Sequence, residues 1–124
     1  MTNITIYHNP RCGTSRNTLE LIKNTALEVE VIEYLKTPPS KDTLKQLIKD
    51  SGLSTREFMR KKEAIYQENN LDDPNWSDDE LLDWIVKEPI LMERPVVVTP
   101  NGTRQCRPKE VLFEILPEAR VELK

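Results

Sequence analysis

The stretch Ile4-Thr5-Ile6-Tyr7-His8-Asn9-Pro10-Arg11-Cys12-Gly13-Thr14-Ser15-Arg16 decides the fold. Its apolar and β-branched start predicts a short strand over residues 4 to 8. From residue 14 to about 26 the apolar positions Leu19, Ile22 and Ala26 recur at helical spacing and predict a helix. Cys12 therefore sits in a strand-to-helix loop, where unpaired backbone N–H groups and the positive helix end converge. That environment favours a thiolate and can also hold an oxyanion. His8 and Arg16 flank the loop, and a cationic neighbour lowers a thiol pKa further. A buried small hydrophobe is the plainer role of a free cysteine. Gly, Pro, Ser, Thr and Arg are poor core company, so Cys12 reads as a nucleophilic or redox thiol.

Working outward, Glu28 to Leu35 places Val29, Val31 and Ile32 among glutamates and predicts a second strand. Strand, helix and strand form a βαβ unit, whose strands run parallel. Pro38-Pro39 breaks the chain, Ser40 can cap a helix carrying Leu44, Leu47 and Ile48, and Gly52 fits its stop. Ser54-Thr55-Arg56-Glu57 matches a capping box and predicts a short helix through Phe58, Met59 and Arg60. Ser77-Asp78-Asp79-Glu80 is a second capping box, opening a helix with Leu81, Trp84 and Ile85 on one face. Residues 66 to 76 between them are poorly periodic and in part loop-like, and Pro89 ends the helical region.

Val96-Val97-Val98-Thr99, the turn Pro100-Asn101-Gly102 and Thr103-Arg104-Gln105-Cys106-Arg107 read as a hairpin closed at Asn101-Gly102. Pro108 then starts a last helix with Val111, Leu112, Ile115 and Leu116 inward, Pro117 ends it, and residues 118 to 124 read as a charged tail. The expected architecture is α/β: a thioredoxin-like mixed four-stranded sheet with helices on it and a helical insertion over about 40–88. The whole chain, 1–124, reads as a single domain.

Bulk properties narrow the function. The chain has 124 residues and a net charge of −3, so nothing suggests nucleic acid or an anionic membrane as partner. The start, Met1-Thr2-Asn3-Ile4, lacks the basic and apolar regions of a leader, and no apolar run approaches the ~20 residues of a membrane span. A cytoplasmic, soluble protein is expected. Two distant cysteines form no disulfide framework and fit a reducing compartment. With one histidine and no close pair spacing, they predict no metal site.

Cys12-Gly13-Thr14-Ser15 is a redox motif whose second thiol is replaced by Ser15. A disulfide formed at Cys12 must then be resolved by an outside thiol or by Cys106. Cys106 and Arg107 are adjacent on the expected strand and would face opposite ways, which favours packing for Cys106 if Arg107 points to the site. Arg94-Pro95 and Arg107-Pro108 lie at strand ends where both arginines could reach the same place. An X-Pro bond is one that can be cis, and the isomer at Pro95 stays open.

The stretch from Ile4 to Glu20 closely resembles the start of glutaredoxin-coupled arsenate reductases, the ArsC type of the ArsC/Spx superfamily. Matches continue in register through Tyr34-Leu35, Pro38-Pro39, Arg60-Lys61, Pro89-Ile90-Leu91, Arg94 to Pro100, Gly102-Thr103-Arg104 and Cys106-Arg107-Pro108. The resemblance implies Cys12 as nucleophile, with His8 helping to depress its pKa and Ser15 as hydrogen-bond partner of the thiolate. It implies Arg60, Arg94 and Arg107 as ligands of the arsenic oxyanion. The implied reaction converts arsenate to arsenite through a Cys12 thioarsenate and a glutathione mixed disulfide that glutaredoxin clears. Glutathione is then a co-substrate, and no bound cofactor or metal is implied. Arg11 departs from the small residue of some members and adds charge beside the nucleophile. Two other functions compete: a redox-sensing regulator of the Spx type, whose Cys-x-x-Cys switch Ser15 removes, and a general glutathione-dependent thiol oxidoreductase, which would need Cys12 but not three arginines.

Overall fold

In the computed structural model, which describes residues 3–123, a four-stranded sheet runs in the order β2-β1-β3-β4. Met1, Thr2 and Lys124 lie outside the described residues, and with them part of the reading of the chain's start and the last residue of the expected tail. Strand β1 is Ile4–His8 and β2 is Val29–Glu33, paired in parallel with Ile6 against Val31. Between them α1, Gly13–Asn24, makes the crossover. Strand β3, Val96–Thr99, runs antiparallel to β1 with Ile6 opposite Val97, and β4, Gly102–Gln105, closes the hairpin. This is the mixed, thioredoxin-type sheet expected.

The chain forms two compact units, Met1–Thr37 with Arg94–Lys124, and Pro38–Glu93. The first holds the sheet. One sheet face presents Ile4, Ile6 and Val97 to Leu21 and Ile22 of α1 and to Leu112, Ile115, Leu116 and Ala119, all in one buried cluster that also contains Cys106. The α1 face differs from the expected one: Ser15, Thr18, Leu21 and Ile22 are buried, while Leu19 is only half-buried. Ala26 lies beyond the helix, exposed and at φ 64. The first turn packs hydroxyls rather than methyl groups, so hydrophobic spacing misplaces the face.

The hairpin loop is Pro100-Asn101, within the expected turn, and Gly102 joins the strand because Thr99 pairs directly with it. Gly102 sits within β4 at φ 142, a backbone conformation that selects glycine. The last segment is not an α-helix but two 3-10 stretches, Lys109–Glu114 and Pro117–Leu123. Short i to i+3 bonds such as Val111 N–H to Pro108 O hold it. The expected charged tail is partly structured, with Ala119 in the core.

The second unit carries α2, Lys41–Ser51, α3, Ala64–Glu68, and α4, Asp78–Lys87, followed by a 3-10 turn at Pro89–Leu91. Ser40 caps α2 by accepting from Thr43 N–H at 3.1 Å, and Gly52 ends it in the left-handed conformation. Ser77 and Glu80 form the full capping box of α4. Ser54 and Glu57 exchange the same two bonds, yet no helix follows. The chain turns instead so that Met59 bridges Met92 and Arg60 N–H reaches Leu91 O. The bridge competes with helix propagation and wins.

Ile6 is fully buried in the sheet's inner strand. Ile6→Ala should cost about 2–5 kcal/mol, read as a lower urea midpoint at unchanged slope. A cost under about 1 kcal/mol would show a loosely packed centre.

Candidate active site

The site begins where β1 ends. His8 is its last residue, Gly13 opens α1, and Cys12 is the cap residue between them, extended at φ −95 and ψ 123. Asn9 folds the intervening loop. Its main-chain oxygen accepts from Cys12 N–H at 3.0 Å, and its Oδ1 accepts from Arg11 N–H at 2.9 Å, an Asx turn. Its own N–H donates to Ser15 Oγ at 3.1 Å. Sequence reasoning passed over Asn9, although an Asn-Pro pair directly after a strand is the usual signal of such a turn.

Ser15 is fully buried and ties the loop to β1, with Oγ 2.6 Å from His8 Nδ1. Burial pushes His8 below its ordinary pKa, opposed by Glu33 and assisted by Lys23 and Arg16. The neutral ring accepts at Nδ1 from the Ser15 hydroxyl, a tautomer assigned from the bonding pattern. His8 is thus joined to the Cys12 loop through Ser15 and is not a neighbouring cation. The Ser15 hydroxyl faces His8 and Asn9, and it is the Ser15 backbone N–H that serves the sulfur.

Cys12 is half-buried. Burial alone would raise its pKa, but the Ser15 backbone N–H, the hydrogen bond and charge of Arg107, and the Thr14 backbone N–H outweigh it. The net shift is downward. Arg107 Nη1 lies 3.5 Å from Cys12 Sγ and also donates to Arg94 O at 3.1 Å. Cys12 and Arg107, 95 positions apart in the sequence, thus meet at the sulfur. Arg94 is buried. Both Arg94-Pro95 and Arg107-Pro108 are cis, which closes the isomer left open at Pro95.

Strand β4 stops at Gln105, so Cys106 and Arg107 lie just past it. They still point apart. Cys106 is fully buried in the core, its N–H bonded to Pro95 O at 2.9 Å, and burial pushes its thiol up to about 12. Arg60 belongs to the unit Pro38–Glu93, where Glu63 holds its Nε at 3.2 Å and Glu93 its Nη1 at 3.0 Å. Nothing in the sequence pointed to those carboxylates. Among the described residues no group of three or more His, Cys, Asp and Glu forms a metal cluster, and no helix is long and apolar enough to cross a membrane.

Comparison with known proteins fits this geometry. The model of the ArsC family matches residues 7–115. An arsenate reductase of Escherichia coli is 55% identical over 120 residues, 97% of this chain and 85% of its own. One from Rhizobium meliloti is 53% identical over 115 residues, 93% of this chain and 82% of its own. The solved arsenate reductase from Vibrio cholerae superposes with a TM-score of 0.87 at 45% identity, covering 90% of this chain and 96% of that one.

Alkylation should separate the two thiols. Cys12 should react with iodoacetamide along a pH curve whose midpoint lies below the ~8.5 of a free cysteine, while Cys106 stays unlabelled at pH 8 until the protein unfolds. The sign for stability follows: with the folded pKa depressed, the thiolate's contribution is fully present above the unfolded pKa and is lost as pH falls through the folded one. Cys12→Ser should remove that pH dependence. A Cys12 midpoint at or above the free value would refute the activated thiolate.

Proposed function

The chain belongs to the ArsC family, and we propose that it is an arsenate reductase whose nucleophile is the Cys12 thiolate. The observation that carries the reading is the arginine at the sulfur, Arg107 Nη1 at 3.5 Å from Sγ, where α1 begins. A thiolate and an oxyanion repel. A guanidinium beside the sulfur and helix-end N–H groups offset that repulsion and stabilise charge as oxygen leaves arsenic.

The sulfur attacks As(V) and displaces one oxygen, which leaves as water after protonation, giving a thioarsenate ester. Ser15 stands where a dithiol enzyme keeps its resolving cysteine, and Cys106 is buried with a thiol pKa of about 12. An external thiol must therefore take the next step. Glutathione sulfur bonds to Cys12 sulfur, the S–As bond breaks, and its electron pair stays on arsenic, which departs as As(III). Glutaredoxin then takes the glutathionyl group and restores Cys12. Arg94 and Arg107 bind the oxyanion in this reading. Arg60 joins them on family register, with Glu63 and Glu93 orienting its guanidinium within its own unit. The cytoplasm supplies both thiol partners, and residues 1–124 act as one domain with an insertion.

The test is arsenate-dependent NADPH oxidation with glutathione, glutaredoxin and glutathione reductase supplied. Cys12→Ser should abolish turnover, and Cys106→Ser should keep most of it. Lysine at position 60, 94 or 107 keeps the charge but loses the planar fork, so each change should lower arsenate kcat/KM roughly ten- to hundredfold. Reduction of a small glutathione disulfide should suffer much less. If arsenate turnover stays within a factor of two in all three variants, the general thiol-oxidoreductase reading takes over.

A further inference from the structure

We infer that Arg11 and Arg16 form an electrostatic entry that draws carboxylate-bearing thiols and disulfides to Cys12, making them the residues that select an anionic co-substrate. The inference rests on the proposed reductase cycle only for the identity of that thiol. Charge placement carries it. The protein is acidic, yet residues 1–19 hold Arg11 and Arg16 and not one Asp or Glu. Both arginines are exposed, and neither makes an ion pair among the described residues. A surface arginine in a chain with more acids than bases usually finds a carboxylate or stands alone. Here two of them bracket the reactive thiol.

Their positions are defined. Arg16 Nη1 donates to Pro10 O at 3.0 Å, which folds the side chain back over the loop. A Cβ at Gly13 would lie 3.7 Å from Arg16 Nη2, so that guanidinium rests against the residue next to Cys12. The Asx turn at Asn9 fixes the Arg11 backbone on the other side of Cys12. The carboxylate that registers against this loop, Glu33 opposite His8, has Lys36 at 3.5 Å as its own partner. Arg107 is already engaged with the sulfur and the Arg94 carbonyl. Arg11 and Arg16 thus remain as the outward-facing positive charges of the loop. Glutathione carries more carboxylates than ammonium groups. Like any anion approaching a focused positive patch, it gains in encounter rate, and the gain fades with salt.

The test is thiol–disulfide exchange, which involves no arsenic. The Cys12 thiolate attacks glutathione disulfide, one S–S bond forms as another breaks, and glutathione thiolate leaves. The neutral comparison is hydroxyethyl disulfide, with the protein adduct followed by mass. Arg11→Gln/Arg16→Gln should slow exchange with glutathione disulfide by roughly three- to tenfold at low salt and leave the neutral disulfide within a factor of two. The single variants should each show part of the effect. High salt should abolish the difference between wild type and variant. Equal slowing with both disulfides would mean that the side chains only shape the loop, and no slowing with either would mean that they are solvated bystanders; both results overturn the inference. A wild-type protein that prefers the charged disulfide yet fails to turn over arsenate would sink the reductase reading and leave this one standing.

Discussion

A sulfur drawn partly out of water keeps its proton unless donors replace the lost solvation. At Cys12 that balance is struck by the Ser15 backbone N–H first, then Arg107 and the Thr14 N–H. The rest of the first unit follows from the need to hold those donors still. Ser15 cannot rotate away, because its hydroxyl is clamped between His8 Nδ1 and Asn9 N–H. His8 is fixed in turn as the last residue of β1, paired with Glu33 of β2. A polar cluster with every member bonded is rigid where a half-satisfied one would be costly. The buried hydroxyls that spoil α1 as an amphipathic helix are what makes it a good platform for a thiolate.

Arg107 reaches the sulfur by a different route. The β3–β4 hairpin lies antiparallel beside β1, which returns the chain to the end of the sheet where β1 gives way to the loop. Just past β4, Cys106 drops into the core and Arg107 turns outward. The core residue is the anchor of its neighbour: a buried, protonated Cys106 pinned through its N–H to Pro95 O sets where Arg107 begins. The same pin ties the segment after Arg94 to the segment before Arg107, and the Arg107-to-Arg94 carbonyl bond completes the pairing. Two arginines that the sequence separates are made neighbours by one hairpin.

How much of this could be read from the sequence depends on whether local chemistry or distant contacts decided the matter. Strand β1, the Ser40 and Ser77 caps and the Gly52 stop were legible because each rests on a few adjacent residues. The site loop was legible for the same reason. What failed did so where a tertiary contact overrode a local signal. Ser54 and Glu57 formed their capping box, yet the Met59–Met92 bridge diverted the chain. His8 looked like a cation from its sequence position alone. Its burial, which no local pattern encodes, lowers its pKa and makes it a hydrogen-bond acceptor instead.

The two cysteines show why exposure is the variable that cannot be tuned freely. Cys106 has its pKa raised to about 12 by burial, which favours the neutral thiol. Cys12 gains nothing from deeper burial, since loss of water is what opposes its thiolate. With Ser15 in place of a second thiol, the proposed cycle must also admit a reactant as large as glutathione to the sulfur itself. A more enclosed site would bind an oxyanion more strongly but would shut that reactant out and raise the thiol pKa. A more open one would give up the oriented N–H groups and the arginine contact. A half-buried sulfur at the cap of a helix, with one arginine against it and the remaining positive charge left on the rim, satisfies both demands.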